Sequence, residues 1–255
     1  MSLNKKEQIS ALLKGIETGD PASVAVVNEA KYIQHNPQTH EGSEGLAALF
    51  KRLSKTSPRV NIVRVFEDGD FVFAHTEYDF ASRNIGFEIF RFENNQAVEH
   101  WDNIQKRLGP NPSGHSMVDG PTEAEEIEST ESNRKVIQMF INEVLINDRY
   151  HKLASYVDHD NYTEHNPYLS DDINELLPIL SGSSKPDHGS IKYQRCHRLL
   201  AEGNFVLSVC EGEKDQLACS FFDLFRLQAG KIVEHWDTTE AIPPRSEWKN
   251  NNGKF

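Results

Sequence analysis

The pentapeptide Val-Glu-His-Trp-Asp occurs twice in this chain, at residues 98–102 and again at residues 233–237. A second motif, Tyr-x-x-His-Asn-Pro, also occurs twice, at residues 32–37 and 162–167. Each copy of this motif precedes a copy of the pentapeptide at a similar distance. Self-similarity at a fixed spacing is the mark of a repeated structural unit. The sequence therefore predicts two diverged copies of one unit.

Within each copy, helical periodicity comes first and strand-like segments follow. In the first copy Ile9, Leu12, Leu13 and Ile16 have the i, i+3, i+4, i+7 spacing of an amphipathic helix. Runs rich in β-branched and aromatic residues, separated by turn residues, come later in both copies. Three helices followed by four antiparallel strands predict an α+β unit with its helices on one face of a curved sheet. A pocket would form on the concave side of that sheet.

The repeat predicts four segments along the chain. The first copy is assigned to residues 1–108 and the second copy to residues 132–242. Between them, residues 109–131 contain Pro and Gly residues followed by a run of Glu, which predicts a solvated linker. Residues 243–255 are assigned to a C-terminal tail.

Composition excludes several classes of function. Lys and Arg number 27 against 39 Asp and Glu, a net charge of −12, and no basic stripe is present to bind nucleic acid. No run of 18 apolar residues predicts a membrane span, and no signal peptide is apparent at the N-terminus. Three cysteines in a chain of this kind favour reduced thiols over a disulfide framework. We therefore expect a cytoplasmic protein.

Strand alternation divides the pentapeptide between two faces of the sheet. His100 and Asp102 share one face, while Glu99 and Trp101 share the other. The same alternation places His235 and Asp237 on one face in the second copy. These histidine–aspartate pairs are the candidate catalytic residues, although polar side chains of this kind also occur on solvated sheet faces. The tryptophans are interpreted as core anchors.

Other polar residues recur near predicted strands or turns and are candidates for substrate binding. Glu88 alternates in phase with phenylalanines, and so does His75 on the preceding strand. For the histidine of Tyr-x-x-His-Asn-Pro, a structural role and a place in the pocket are both open. A metal site built from histidine and carboxylates is a further alternative, but no motif fixes its geometry. The full set of substrate-binding candidates is His35, His75, Glu88, His165, His197 and Asp223, and no metal is predicted.

Together these motifs resemble the SnoaL-like polyketide cyclase family, and more closely its branch of SnoaL-like aldol condensation-catalysing proteins. The resemblance rests on the two motifs above, a Gly-Asp/Asn-Phe-Val turn at residues 69–72 and 203–206, and a Phe-Arg strand segment at residues 90–91 and 225–226. It covers nearly all of both copies. It implies a cone-shaped α+β barrel of the nuclear transport factor 2-like superfamily in each copy.

The resemblance also implies a chemistry. Cyclases of this family close a ring by intramolecular aldol condensation without a metal or cofactor, and an aspartate acts as general acid/base in a largely apolar cavity. Carried over by position, Asp102 and Asp237 take that role, with His100 and His235 beside them. Burial raises the pKa of a carboxyl group toward neutrality, which suits proton abstraction next to a carbonyl.

Several alternatives stay open at this stage. The resemblance implies that His75 lacks a counterpart in the second copy and His197 a counterpart in the first, so the two pockets need not be equivalent. The protein is therefore expected to be an acid/base enzyme of the cyclase or isomerase type, an epoxide-hydrolysing relative, or a ligand-binding or protein-interaction module without turnover. Its partner is a small molecule, with no cofactor, no nucleic acid and no membrane. The tandem copies form an intramolecular pseudo-dimer or a homodimer of that.

Overall fold

The computed structural model describes residues 3–80, 82–181 and 190–255, and two compact units emerge from its contacts. Unit 1 consists of Met1–Arg107 together with Ile242–Phe255, and unit 2 consists of Leu108–Ala241. Each is an α+β unit in which helices cover one face of a five-stranded sheet. The two predicted copies thus correspond to two separate units of one fold class.

Unit 1 starts with helix α1, which has a complete N-terminal cap. The side chain of Asn4 accepts from the backbone of Glu7, and the Glu7 side chain accepts from the backbone of Asn4. Such a reciprocal cap is worth about 1 kcal/mol. The elements of unit 1 are α1 (Lys5–Thr18), a 3₁₀ helix (Pro21–Val26), β1 (Ile33–Gln34), α2 (Gly42–Leu53), β2 (Arg59–Asp68), β3 (Phe71–Asp79), β4 (Arg83–Glu93) and β5 (Gln96–Lys106).

Unit 2 repeats this order with shorter helices. Its first helix continues as a π-helix, and the helix that corresponds to α2 has only five residues and contains Pro178. The elements of unit 2 are α3 (Thr130–Phe140), the π-helix (Ile141–Ile146), α4 (Leu153–Tyr156), β6 (Thr163–Glu164), α5 (Leu176–Leu180), β7 (Ile191–Glu202), β8 (Phe205–Lys214), β9 (Leu217–Gln228) and β10 (Lys231–Ala241).

Both sheets have the same topology. The strand order is β1-β5-β4-β3-β2 in unit 1 and β6-β10-β9-β8-β7 in unit 2. The four long strands of each sheet are antiparallel, as predicted, while β1 and β6 pair in parallel with the last strand of their sheet. The sequence did not reveal these two strands, because two residues are too few to show alternation.

Apolar side chains fill the space between the helices and the sheet. In unit 1, Ile9 and Leu12 of α1 pack with Leu46 and Phe50 of α2 against Ala74 and its neighbours on the sheet. The opposite face of the same sheet also carries buried aromatic residues, among them Phe73, Phe87 and Trp101. Both faces of the sheet are therefore buried.

Each unit includes the segment that follows the last strand of the other. Residues after β5 contact unit 2, where Asn111 Nδ2 donates to the carbonyl of Glu164 (2.7 Å). Residues after β10 contact unit 1, where Asn252 Nδ2 donates to the carbonyl of Gln34 (3.0 Å). Asn111 is 5% exposed, so the predicted solvated linker is docked in this stretch.

No helix among the described residues is long and apolar enough to cross a bilayer.

Candidate functional site

The two repeated motifs are hydrogen-bonded neighbours in each unit. The parallel pairing of β1 with β5 places Gln34 beside His100, and the pairing of β6 with β10 places Glu164 beside His235. The next residue, His35, donates its backbone N–H to the carbonyl of His100 (2.9 Å). In both units the two motifs are therefore joined by backbone hydrogen bonds.

One face of the pentapeptide is structural. His35 stacks on Trp101 with ring centroids 4.6 Å apart, and its Nε2 lies 2.9 Å from Glu99 Oε1. Glu99 also accepts from Arg91 Nε at 2.6 Å. Burial tends to raise the pKa of Glu99, but the hydrogen bonds from His35 and Arg91 outweigh it and hold that pKa below its ordinary value. His35 does not line the cavity of unit 1, so of the two roles that the sequence leaves open these contacts favour the structural one.

The same arrangement recurs in unit 2. His165 stacks on Trp236 at 4.6 Å and its Nε2 lies 2.8 Å from Glu234 Oε1, while Arg226 donates to the other oxygen of Glu234 at 2.6 Å. These contacts favour a structural role for His165 as well, and His165 does not line the cavity beside His235. The tryptophans anchor the sheet, as the alternation predicted.

Two further predicted histidines lie outside the candidate sites. His75 pairs across the strands with Phe87, one position out of phase with Glu88, and its Nδ1 accepts from Arg64 at 2.8 Å. It therefore points to the opposite face of the sheet from Glu88. His197 contacts Glu211 (2.8 Å) and lines a separate cavity of about 290 Å³. Both faces of this sheet carry buried phenylalanines, so the phase of His75 with phenylalanines does not show which face it lies on.

The concave face of unit 1 brings Glu88, His100 and Asp102 together. Glu88 and Asp102 are direct cross-strand partners on β4 and β5, and His100 Nε2 lies 2.7 Å from Glu88 Oε2. His100 Nδ1 donates to the side-chain oxygen of Gln34 at 3.0 Å, and that oxygen also accepts from the backbone of Asn36. Both ring nitrogens of His100 therefore face side-chain oxygen atoms.

Asp102 is held by a different set of groups. Its Oδ2 accepts from Asn36 Nδ2 at 2.7 Å. Its Oδ1 is buried and accepts no hydrogen bond from the described residues, although the ammonium of Lys254 lies 3.6 Å away. A buried carboxylate oxygen with spare acceptor capacity is available to take a proton.

Tyr78 completes the network on the neighbouring strand. Its hydroxyl donates to Glu88 Oε1 at 2.7 Å. Burial, together with the nearby Glu88 carboxylate, raises the pKa of Tyr78 well above its ordinary value, so the hydroxyl stays protonated as a donor.

These groups lie at one end of a cavity of about 470 Å³. Its wall is mostly apolar and comes from α1, α2 and the sheet, with Leu12, Phe50 and Phe90 among the contributors. Polar groups of the wall include Asn36 and Asp102. Small-molecule sites typically have volumes of about 300–1,000 Å³, apolar walls and a few convergent polar groups.

The same three side chains could also hold a cation. Glu88, His100 and Asp102 each offer one ligand atom within 4.8 Å of the others, and imidazole with carboxylate suits several divalent metals. The ammonium of Lys254 beside Asp102 opposes this, because it would repel a cation at the same place. The arrangement therefore fits acid/base chemistry better than metal binding.

In unit 2 the corresponding histidine lies between two carboxylates. His235 Nδ1 is 2.9 Å from Glu164 Oε1, and Nε2 is 3.3 Å from Asp223 Oδ1. Burial would lower the pKa of His235, but the two carboxylates outweigh it and hold the pKa well above its ordinary value. The reciprocal effect of His235 lowers the pKa of Glu164 despite its burial. Unit 2 thus has a carboxylate, Glu164, beside its histidine where unit 1 has the neutral Gln34.

Asp237 is affected differently by this cluster. Its carboxyl accepts from Asn166 Nδ2 at 2.9 and 3.0 Å. Burial raises the pKa of Asp237 to about 6, with a further contribution from the carboxylates of Glu164 and Asp223. Near neutral pH this group can therefore exchange a proton.

A tyrosine donates a hydrogen bond to the corresponding acidic residue in both units, but the tyrosine stands on a different strand in each. In unit 1, Tyr78 on β3 pairs with Val60 on β2, whereas in unit 2 the tyrosine is Tyr193 on β7 and its partner on β8 is Gly212. The Tyr193 hydroxyl donates to Asp223 at 3.0 Å, as Tyr78 does to Glu88. The same hydrogen bond therefore comes from the other member of the strand pair.

Among the residues that the structure describes in unit 2, the cavity beside His235 is small. The cavity that His235 and Asp223 line measures about 40 Å³, and Phe140 and Tyr193 contribute to its wall. Phe140 occupies the helical position of Leu12 in unit 1 and packs edge-on against Phe225. Room of this size suits a few water molecules, not an organic ligand.

Comparison with known proteins finds a similarity to one family in the first unit. Residues 9–100, within unit 1, match the model of the SnoaL-like domain, and unit 2, which lies outside this match, has the same strand order. No curated protein matches the chain.

Solved structures similar to this chain each cover about one unit of it. An NTF2-like protein of unknown function from Cytophaga hutchinsonii is 15% identical, with 41% of this chain and 93% of that chain covered and a TM-score of 0.37. A cystatin-fold protein from Novosphingobium aromaticivorans is 11% identical, covering 40% and 98%, with a TM-score of 0.35. An LEH-like epoxide hydrolase from M. tuberculosis is 17% identical, covering 39% and 81%, with a TM-score of 0.34.

Sequence reasoning missed several residues of the site. Asn36 and Asn166 stand in the repeated Tyr-x-x-His-Asn-Pro motif, so their presence in both copies is a signal that the sequence carries. Tyr78 and Tyr193 do not align, so no repeat could reveal them. Lys254 lies far from the pentapeptide in sequence and carried no signal at all.

Proposed function

We propose that unit 1 is a cofactor-independent acid/base catalyst that removes a proton next to a carbonyl group, as an aldol cyclase or isomerase does. The observation that carries this proposal is the position of Asp102 and the Glu88–His100 pair at one end of a cavity of about 470 Å³. The match to the SnoaL-like family supports the same reaction class.

In the proposed reaction Asp102 is the base. Its Oδ1 accepts no hydrogen bond from the described residues, while Asn36 fixes the other oxygen. The C–H proton passes to the Asp102 carboxylate, and the electron pair of that bond forms the enolate. The contact between Glu88 and His100 then opens, and one of the two donates a hydrogen bond to the enolate oxygen, which stabilises the developing charge. Ring closure or reprotonation at another carbon completes the cycle and returns the proton.

The wall of the cavity indicates the class of substrate. Leucine and phenylalanine side chains supply most of it, and the volume is that of a small organic ligand. We infer a largely apolar carbonyl compound, and polyketide-like compounds fit this description.

Unit 2 is proposed to have no turnover. A cavity of about 40 Å³ leaves no room for such a substrate. Its role is then structural.

Proton exchange tests the proposal without knowledge of the natural substrate. The full chain would be incubated in D₂O with 2-tetralone and, separately, with ethyl acetoacetate, and loss of the α-proton signal followed by ¹H NMR. We expect saturable exchange above the buffer rate, reduced on the order of 100-fold in Asp102→Asn.

Two results would contradict this function. Binding of 2-tetralone, seen by saturation-transfer NMR, without exchange would favour a ligand-binding module instead. Hydrolysis of styrene oxide in the absence of exchange would assign the site to epoxide chemistry.

A further inference from the structure

The segment Ile242–Phe255, which follows β10 in sequence, belongs to unit 1 and contacts the motif that holds its site. Asn250 Nδ2 donates to the carbonyls of Asn36 (2.7 Å) and Thr39 (3.0 Å). The backbone of Lys249 donates to the carbonyl of Pro37 at 2.8 Å. The segment is thereby fixed beside the residue that holds Asp102.

Lys254 is buried directly against Asp102. It is 3% exposed, its Nζ donates to the backbone carbonyl of Asp102 at 2.7 Å, and the same atom lies 3.6 Å from Asp102 Oδ1. An ammonium group is costly to bury unless an opposite charge accompanies it. Asp102 provides that charge, so the two groups depend on each other.

Lys254 is not among the residues that line the cavity. Glu247 and Lys249 of the same segment contribute to that wall, whereas Lys254 does not. It would therefore act on a substrate only through Asp102, whose position it fixes from one side while Asn36 fixes it from another.

Unit 2 offers an internal comparison. Among the residues that the structure describes, Asp237 forms no ion pair with a lysine or arginine, and its hydrogen bonds come from Asn166. A lysine therefore pairs with the aspartate in unit 1, which has the large cavity. In the described part of unit 2, which has the small cavity, the corresponding aspartate has no such lysine.

We propose that Lys254 is a positioning residue for the unit 1 reaction, which orients the carboxylate of Asp102 and compensates its charge. The inference rests on the proposed function of unit 1. It means that the site of unit 1 is completed by residues that follow the last strand of unit 2 in the chain.

Two variants test this inference in the full chain. Lys254→Met removes the charge at similar length, and Lys254→Gln removes the charge but keeps a donor for the Asp102 carbonyl. Arg245→Gln is the control, because it also removes one positive charge from this segment and its guanidinium packs over Trp248. The side-chain amide resonance of Asn250 shows whether the segment still contacts Asn36 and Thr39. If Lys254→Met loses these contacts, the inference is judged on Lys254→Gln.

The first measurement does not depend on activity. Asn36 Nδ2 donates to Asp102 Oδ2, so its side-chain amide resonance and protection from solvent exchange report the position of the carboxylate. We expect a shifted resonance and lost protection in the Lys254 variants, and a wild-type resonance in Arg245→Gln. An unchanged Asn36 amide in a docked Lys254 variant would overturn the inference.

The second measurement uses the exchange reaction. In a docked Lys254 variant kcat is expected to fall about 10- to 100-fold with KM changed less than about threefold. Combination with Asp102→Asn is expected to add no further loss, because Lys254 acts through Asp102. Equal losses in both backgrounds would overturn the inference. Absence of exchange in the wild type would reject the proposed function. The Asn36 amide would then still show whether Lys254 positions the Asp102 carboxylate.

Discussion

Replacement of Asp237 by asparagine should stabilise the protein relative to the wild type, and this gain should be larger at neutral pH than at acidic pH. The Asp237 carboxyl is buried near two other carboxylates, and its pKa is raised from 3.8 to about 6. Asn is nearly isosteric and cannot ionise, so the variant removes the cost of a buried negative charge.

The magnitude follows from linkage between proton binding and folding. One pH unit of difference between the folded and unfolded pKa corresponds to about 1.4 kcal/mol, so the rise to about 6 corresponds to roughly 3 kcal/mol. Below pH 4 both states are protonated and the raised pKa costs nothing. As pH rises from about 4 to 6 the unfolded state ionises while the folded state keeps its proton, so the native state loses stability. Above about pH 6 the loss is complete.

Urea unfolding of both proteins from pH 4 to pH 8 measures this difference. The free energy of unfolding of Asp237→Asn minus that of the wild type should increase by about 2–3 kcal/mol over this range. Asp172→Asn is a control of opposite sign, because hydrogen bonds from Asn174 lower the pKa of the exposed Asp172. A difference for Asp237→Asn that stays constant with pH would refute the reasoning.

Two further changes test the description of unit 2. Glu164→Gln, which copies the residue of unit 1, should lower the pKa of His235 toward its ordinary value, because a carboxylate 2.9 Å from Nδ1 is removed; ring NMR titration checks this, and an unchanged midpoint would contradict it. Gly212→Ala should destabilise the protein by about 1–3 kcal/mol, because the new Cβ would lie 2.1 Å from the carbonyl oxygen of Lys192. Gly109→Ala, where a Cβ meets open space, is its control in urea unfolding, and equal stabilities of the two variants would oppose this explanation.

The duplication made much of the fold predictable. The pentapeptide was divided correctly by strand alternation, since Trp101 packs on one face of the sheet and Asp102 lies on the other. The long strands were also predicted, because turn residues separate them clearly. The helices are less regular than predicted, because the second helical segment of unit 1, Pro21–Val26, is a 3₁₀ helix.

Tertiary features of the site were beyond the sequence. His35 was left undecided because only the parallel register shows that it stacks on Trp101. The difference in cavity size depends on bulky residues such as Phe140, whose packing cannot be read from spacing. The contact of Lys254 with Asp102 joins residues 152 positions apart, and local pattern carries no information about such a pair.

The central claim is that acid/base chemistry belongs to unit 1 and not to unit 2. The most direct test compares α-proton exchange of 2-tetralone in D₂O by the matched variants Asp102→Asn and Asp237→Asn. We predict a loss on the order of 100-fold in Asp102→Asn and a rate close to the wild type in Asp237→Asn. Equal rates in the two variants, or a loss confined to Asp237→Asn, would contradict the claim.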